Sequence, residues 1–248
     1  MKPGQKFRNA LKNNKPLIIP GTINAYSAKL AELANHNSIY LSGSGVAAAS
    51  YGLPDLGVTT LENVLIDAKR ITSATSLPLL VDIDTGWGDF DAISNTIIEM
   101  GNANVAAVHI EDQIFDKRCG HRPNKQLVSI DEMQDRLKAA LDAKIDDSFF
   151  IMARTDALAS EGIEKAIERC GKYLDVGADG IFFEAAVSIE EYKEFKNNFS
   201  APLLANITEF GKTPLFTQKE LSDVGVDMVL LSLIHISEPT RLSVIAYA

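Results

Sequence analysis

The sequence is poor in cysteine and in aromatic residues. Its 248 residues include two cysteines, Cys119 and Cys170, one tryptophan and 7% aromatic residues in total. Two cysteines are too few to form the disulfide framework of a small secreted protein. Their scarcity is typical of a reducing compartment, so we expect a cytoplasmic protein.

Long hydrophobic runs and an excess of positive charge are also missing. The first 21 residues contain no extended apolar stretch, so they indicate neither a signal peptide nor a membrane span. The formal net charge is −9, which argues against nucleic acid or an anionic membrane as a partner. A small anionic substrate remains compatible, because a metal and a few local cations can outweigh the global charge.

What the sequence does contain is a regular alternation of two patterns, in a chain that is 46% hydrophobic. Helical spacing marks stretches such as LENVLIDAKRI and GIEKAIERCGKYL. Between the helical stretches recur eight short apolar runs, at Leu17–Pro20, Ile39–Ser42, Leu79–Asp84, Val105–Glu111, Phe149–Arg154, Gly180–Glu184, Pro202–Asn206 and Met228–Leu231. This alternation predicts βαβ units and a parallel sheet. Eight runs favour a single α/β domain, a (β/α)8 TIM-type barrel, over a doubly wound open sheet.

The end of the chain has a different character. Residues 231–241 read LSLIHISEPTR, which matches the translation of an adapter used to build sequencing libraries. We therefore expect residues 1–230 to form the native barrel and residues 231–248 to be an adapter-derived tail. On this hypothesis the barrel is incomplete at strand and helix 8, and the 248-residue chain could be an inactive fragment.

Polar residues stand where nearly every predicted strand ends. In a parallel barrel the strand ends of this side meet and build the active site. Polar groups at almost every position of a purely structural face would be costly, so the pattern indicates an enzyme. The residues concerned are Ser42, Asp82, Asp84, Glu111, Arg154, Glu184, Asn206 and Thr208.

The segment VDIDTGWG offers two carboxylates separated by one residue. On a strand, Asp82 and Asp84 would point to the same side. Mg²⁺ prefers oxygen ligands and takes one or two protein carboxylates, with water and substrate completing its shell. Taken alone, such a pair is as readily a helix N-cap or a solvated turn. Glu111 at the end of the next strand shifts the balance to a Mg²⁺ site, whereas Asp112 could serve in structural pairing.

The segment DKRCGHRPNK surrounds Cys119 with cationic and polar residues, among them Lys117 and His121. Nearby positive charge lowers the pKa of a thiol, so this cysteine could transfer a proton. The alternative is an inert buried thiol, which we prefer for Cys170 inside a helical pattern. A zinc site is not indicated, because the sequence has no CxxC and no His pair at ligand spacing.

Three further segments offer groups that could bind carboxylates. Arg154 in ARTDA has the planar fork that grips a carboxylate, although a salt bridge with Asp156 explains it too. Asn206 and Thr208 are neutral hydrogen-bonding groups that turn formation explains almost as well. The run from Ser42 to Gly45 could bring backbone N–H groups to an anion.

Several of these motifs occur together and in one order: YLSGSGVAAASYGLPDLG, VDIDTGWGD, HIEDQ, KRCGHRPNK, MARTDA and ANITEFGKTPLF. Over residues 1–230 the chain resembles the 2-methylisocitrate lyase branch of the isocitrate lyase/phosphoenolpyruvate mutase superfamily. KRCGH is the most specific element, since mutases and oxaloacetate decarboxylases of the superfamily lack this cysteine arrangement. Isocitrate lyases share it but are longer chains.

The resemblance implies a role for each matching residue. Mg²⁺ falls to Asp82 and Asp84, and catalysis to Cys119, Glu111 and His121. Asp55 and Lys117 are further active-site residues. Substrate contacts fall to Ser42, Gly43, Ser44, Gly120, Arg154, Glu184, Asn206, Ile207 and Thr208, with Ser44 standing where the family usually has glycine.

The implied reaction is the cleavage of 2-methylisocitrate to pyruvate and succinate in propionate catabolism. Cys119 would protonate the departing carbanion, and either Glu111 or a metal-bound water would take the first proton. The full-length form would be a homotetramer. Another superfamily activity, on isocitrate, phosphonopyruvate or oxaloacetate, is the alternative.

Overall fold

The computed structural model describes residues 1–120, 122, 124–208 and 211–231. Its eight parallel strands follow the order β1-β8-β7-β6-β5-β4-β3-β2. The strands are β1 (Leu17–Pro20), β2 (Ile39–Leu41), β3 (Leu79–Asp82), β4 (Ala107–Glu111), β5 (Phe150–Thr155), β6 (Gly180–Phe183), β7 (Leu203–Ile207) and β8 (Met228–Leu231). Since β1 pairs with β8, the sheet curls into a barrel, and the prediction of a (β/α)8 barrel is confirmed.

The barrel closes unevenly at its first strand. β1 forms a full parallel ladder with β8, from Leu17 opposite Met228 to Pro20 opposite Leu231. On its other side, among the described residues, β1 and β2 are joined by the single bridge between Gly21 and Tyr40. β1 is therefore held mainly through β8.

Ten helices accompany the strands in the described part of the chain. They are α1 (Pro3–Asn13), α2 (Ala25–Leu33), α3 (Gly43–Gly45), α4 (Leu61–Ala74), α5 (Phe90–Asn102), α6 (Ile130–Asp142), α7 (Leu158–Glu161), α8 (Ile163–Val176), α9 (Ile189–Asn198) and α10 (Gln218–Asp223), with a π-helical turn at Val46–Ser50. Side-chain caps start several of them. Thr60 and Ser188, for example, form capping boxes at the first turns of α4 and α9.

Two separate hydrophobic layers hold the fold together. The larger layer lies between the strands and the surrounding helices and includes Ile151 and the thiol-bearing Cys170, which is fully buried as predicted. The smaller layer fills the barrel, and Phe7 of α1 reaches into it to pack against Phe150. Helix α1 thus covers the amino-terminal end of the barrel and leaves the opposite end for the polar groups.

The predicted boundary at residue 230 divides a strand. Leu231 is the last residue of β8, where it pairs with Pro20 and Ile207. The rest of the proposed tail, 232–248, lies outside the described residues, so the adapter interpretation and the predicted loss of the last helix stay predictions. No helix within the described ranges is long and apolar enough to cross a membrane.

Candidate active site

The carboxyl-terminal end of the barrel gathers the polar residues that the sequence pointed to. Asp82 ends β3, Glu111 ends β4, and Arg154 lies in β5 directly opposite Glu111. Glu184 follows β6 by one residue. All four are at least 93% buried. Their protonation states therefore depend on one another and on any ligand of the site.

The two aspartates meet, but not in the way that strand alternation predicted. β3 stops at Asp82, and Asp84 adopts a left-handed backbone with φ of 47°. Its N–H donates to Asp82 Oδ1 at 3.1 Å, so a tight turn brings the carboxylates together. A left-handed non-glycine residue is costly and concentrates at functional sites.

Gly43 forms the other wall of this carboxylate pair. Its N–H donates to Asp82 Oδ2 at 3.2 Å. A Cβ at this position would stand 3.3 Å from Asp82 Oδ2 and from both carboxylate oxygens of Asp84. Glycine therefore keeps a space open over both side chains, which explains its place in the site better than turn formation does.

The residues fit a hard divalent cation with few protein ligands. Among the described residues, no group of three or more His, Cys, Asp or Glu side chains is arranged as a ready metal cluster. Burial together with the neighbouring charge of Asp82 raises the pKa of Asp84 to about 6. Two crowded carboxylates with a space above them suit Mg²⁺, which takes its remaining ligands from substrate and water.

Lys117 brings positive charge to this pair. Its Nζ lies 2.6 Å from Asp84 Oδ1 and 2.8 Å from Asp55 Oδ1, and its side chain is 5% exposed. Burial alone would lower the pKa of Lys117, but Asp84 and Glu111 raise it well above the usual value. The structure therefore joins Asp55 and Lys117, two residues far apart in sequence, to the carboxylates of the candidate metal site.

Arg154 is held by three carboxylates. Its Nε donates to Asp156 Oδ2 at 2.9 Å and lies 3.3 Å from Glu111 Oε2, and its Nη2 lies 3.6 Å from Glu184 Oε1. Burial raises the pKa of Glu111 well above its ordinary value, with Arg154 acting in the opposite sense. The salt bridge with Asp156 that the sequence offered as an alternative exists, and it orients the guanidinium within the site rather than removing it from the site.

Tyr40 of β2 and His109 of β4 are buried in the barrel, next to Asp82 of the candidate metal site. Tyr40 Oη lies 3.0 Å from His109 Nε2 and 3.4 Å from Asp82 Oδ2. Burial lowers the pKa of His109 to about 4. His109 is therefore neutral near pH 7, and its 3.7 Å approach to Asp82 is a polar contact rather than an ion pair.

The Cys119 segment lies against the charged site. A Cβ on Gly120 would collide with the Glu184 carboxylate and the Arg154 guanidinium, so only glycine allows this approach. Cys119 itself is half-buried. His121, which was predicted to join it in catalysis, lies outside the described residues.

The remaining predicted substrate-binding residues lie in different surroundings. Asn206 donates to Glu184 Oε2 at 3.3 Å, and Thr208 is buried at the same end of the barrel. Ser42 accepts from the N–H of Gly45 and caps α3, which contains the half-buried Ser44. Ile207 differs, because its side chain belongs to the layer between strands and helices. Only its backbone remains for a substrate contact.

Sequence reasoning left three site residues without a role: His109, Gln113 and Lys125. Alternation along the chain from β4 was the available signal for two of them, since His109 and Gln113 are two positions before and after Glu111.

Asp112, proposed for structural pairing, accepts from the Thr155 hydroxyl at 2.8 Å and from the Tyr173 hydroxyl at 2.9 Å. Its carboxylate faces the helical layer.

Comparison with known proteins decides the family. The phosphoenolpyruvate phosphomutase family model matches residues 7–236. The chain belongs to the phosphoenolpyruvate mutase/isocitrate lyase superfamily. A 2-methylisocitrate lyase of Shewanella oneidensis is 60% identical over 230 residues, which is 93% of this chain and 79% of that protein.

Solved structures of the superfamily agree. A 2,3-dimethylmalate lyase is 32% identical with a TM-score of 0.91, over 98% of this chain and 82% of that one. A phosphonopyruvate hydrolase in complex with oxalate and Mg²⁺ is 28% identical with a TM-score of 0.83, over 98% and 84%. With lyases at 60% and 32% identity over nearly its whole length, this superfamily member is a carbon–carbon lyase.

Proposed function

We propose that this protein is a Mg²⁺-dependent lyase that cleaves 2-methylisocitrate to pyruvate and succinate. The observation that carries the proposal is the position of Gly120. It brings the Cys119 segment into contact with Arg154 and Glu184, beside the carboxylates of Asp82 and Asp84. A candidate proton donor, a carboxylate-binding guanidinium and a candidate metal site thus share one buried end of the barrel. The 60% identical relative supports the choice of substrate.

Asp82 and Asp84 would hold the Mg²⁺, which when bound neutralises negative charge that develops on the substrate oxygen. The solved phosphonopyruvate hydrolase in complex with oxalate and Mg²⁺ supports the choice of Mg²⁺ as the cation. Arg154 is suited to a substrate carboxylate because its guanidinium already faces three protein carboxylates of the site.

The proton transfers fall to Glu111 and Cys119. Glu111 takes the proton from the substrate hydroxyl, because burial makes its carboxylate a stronger base than an exposed one. The carbon–oxygen bond becomes the keto group of pyruvate, and the electron pair of the broken carbon–carbon bond stays on the succinate fragment. Cys119 gives its proton to that carbon. Exchange with solvent then returns both groups to their starting states.

The test is an assay of the purified protein with Mg²⁺ and racemic 2-methylisocitrate, following release of pyruvate. We expect pyruvate and succinate in equal amounts and no reaction after chelation of the metal. Isocitrate and phosphonopyruvate are run in parallel, since a preference for either would replace the substrate assignment while leaving the lyase site in place. A folded protein that releases product from none of the three contradicts the proposal.

The same resemblance supports a cytoplasmic homotetramer that acts in propionate catabolism. Sedimentation equilibrium of the purified protein tests the assembly. A uniform tetramer agrees with it, whereas a stable monomer contradicts it. Heterogeneous aggregates would instead favour the inactive fragment.

A further inference from the structure

Gln113 grips the backbone just before Cys119. Its side-chain Oε1 accepts from the N–H of Arg118 at 3.0 Å, and its Nε2 donates to the carbonyl of Arg118 at 2.8 Å. The same Nε2 donates to Glu111 Oε1 at 3.1 Å. Gln113 is 1% exposed, so one buried amide satisfies both main-chain groups of one residue and also contacts the proposed base.

Lys125 grips the backbone just after Cys119. Its Nζ donates to the carbonyl of Gly120 at 2.7 Å and to Asp156 Oδ1 at 2.8 Å. The Lys125 and Asp156 side chains are 2% and 0% exposed. Burial alone would raise the pKa of Asp156, but Arg154 and Lys125 lower it to about 2. Asp156 is therefore charged at neutral pH and anchors the lysine beside Arg154.

These contacts place one fixed backbone point on each side of Cys119, at Arg118 and at Gly120. With both neighbours held, the backbone of Cys119 is restrained, and with it the direction in which the side chain leaves the chain. We propose that Gln113 and Lys125 are positioning residues that hold the Cys119 thiol where it reaches the substrate. The proposal rests on the role of Cys119 as the proton donor.

Gln113 and Lys125, which we call the two clamps, also connect Cys119 to the groups with which it must cooperate. Gln113 contacts Glu111, and Lys125 shares Asp156 with Arg154. Proton acceptor, carboxylate-binding group and proton donor are thereby held in one hydrogen-bonded set. Such registration matters because a displacement of about 1 Å at a reacting group can cost roughly a hundredfold in rate.

The test uses Gln113→Met and Lys125→Met, which keep side-chain length and remove the hydrogen bonds. The chain offers a matched control in Lys196, whose Nζ donates to the carbonyl of Ala201 at 3.0 Å and to Asp227 Oδ2 at 2.9 Å. Lys196→Met thus removes the same kind of lysine contact at the other end of the barrel.

The first readout is alkylation of Cys119 by iodoacetamide in the full chain, followed peptide by peptide by mass spectrometry. At about pH 9.5, where an ordinary thiol is ionised, the rate reports access to the sulfur rather than its pKa. We expect Cys119 to react roughly tenfold faster in both clamp variants than in the wild type and in Lys196→Met. Cys170 is fully buried and reports unfolding within the same molecule. If Cys170 reacts as fast as Cys119 in a clamp variant, that variant is unfolded. The milder variants Lys125→Gln and Gln113→Asn are then measured by the same criterion.

The second readout separates kcat from KM. We expect kcat to fall roughly a hundredfold in the clamp variants, with KM and the half-saturating Mg²⁺ concentration within about threefold of the wild type. The proposal stands only if alkylation rises and kcat falls together. Alkylation at the rate of Lys196→Met, or faster alkylation with unchanged kcat, overturns it. A wild type that releases no pyruvate refutes the proposed function instead, and the alkylation rates still decide whether the clamps exist.

Discussion

The two ends of the barrel use charged side chains in opposite ways: half-buried pairs at one end and a buried cluster at the other. At the amino-terminal end each carboxylate has its own cation, as in Arg8–Asp179 at 2.7 Å and Lys196–Asp227 at 2.9 Å. Each of these aspartates also accepts an N–H from the backbone of a strand. Charge at this end is matched pair by pair and stabilises the starts of the strands.

At the carboxyl-terminal end the carboxylates outnumber the cations. Three cations, Lys117, Lys125 and Arg154, face a larger set of acids, which comprises Asp55, Asp82, Asp84, Glu111, Asp156 and Glu184. Burial, together with the nearby Asp82, raises the pKa of Asp84 to about 6. Such an arrangement is unfavourable by itself, and the proposed Mg²⁺ would relieve it by adding positive charge. The comparison teaches that one end of the barrel supports stability and the other supports chemistry.

The largest effect is expected from a substitution at the carboxyl-terminal end, which should lower kcat and leave the stability of the protein unchanged. Cys119→Ala should lower kcat by roughly 10²–10⁴-fold, because it removes the proposed proton donor. Mg²⁺ affinity, measured by titration calorimetry, should change little, since Asp82 and Asp84 are the proposed metal ligands. An equal loss of turnover and of Mg²⁺ affinity would contradict the role of Cys119 as the proton donor.

A smaller effect should appear at the stability end. Asp179→Asn weakens the pair with Arg8 and the bond that Asp179 Oδ2 accepts from Ile151 N–H at 2.9 Å. Hydrogen bonds to charged groups contribute about 1.5–3 kcal/mol, so urea unfolding should show a loss of that order. The kcat should stay at the wild-type value. A fall in kcat without a loss of stability would contradict the separation of the two ends.

The smallest expected effect has the opposite sign. Asp84→Asn removes a charge that burial and Asp82 both disfavour. In metal-free protein we expect a gain of about 1 kcal/mol, or roughly 2–4 °C in Tm, by differential scanning fluorimetry. The stabilisation that Mg²⁺ gives to the wild type should disappear. A destabilisation comparable to that of Asp179→Asn would show that Asp84 is a structural ion-pair partner of Lys117.

Much of the fold and part of the site follow from local patterns. Each predicted apolar run contains an observed strand or overlaps it closely, because the runs are short, apolar and bounded by polar or glycine residues. Asp82, Glu111 and Arg154 were predictable as strand-terminal polar residues. The left-handed turn at Asp84 was not, since no local pattern required it. Nor were the roles of Gln113 and Lys125, which depend on backbone groups that only the folded chain brings to them.

The pairing of β1 with β8 also has a consequence for how the molecule is assembled. Leu17 meets Met228, 211 positions further along the chain (228 − 17), so this ladder is among the least local contacts in the fold. Contacts of such high sequence separation are entropically expensive and form slowly. A growing polypeptide has to present β1 without its main partner until the end of the barrel has been synthesised, and during that interval its apolar residues are open to misassociation. We therefore expect ring closure between β1 and β8 to be a late step in folding.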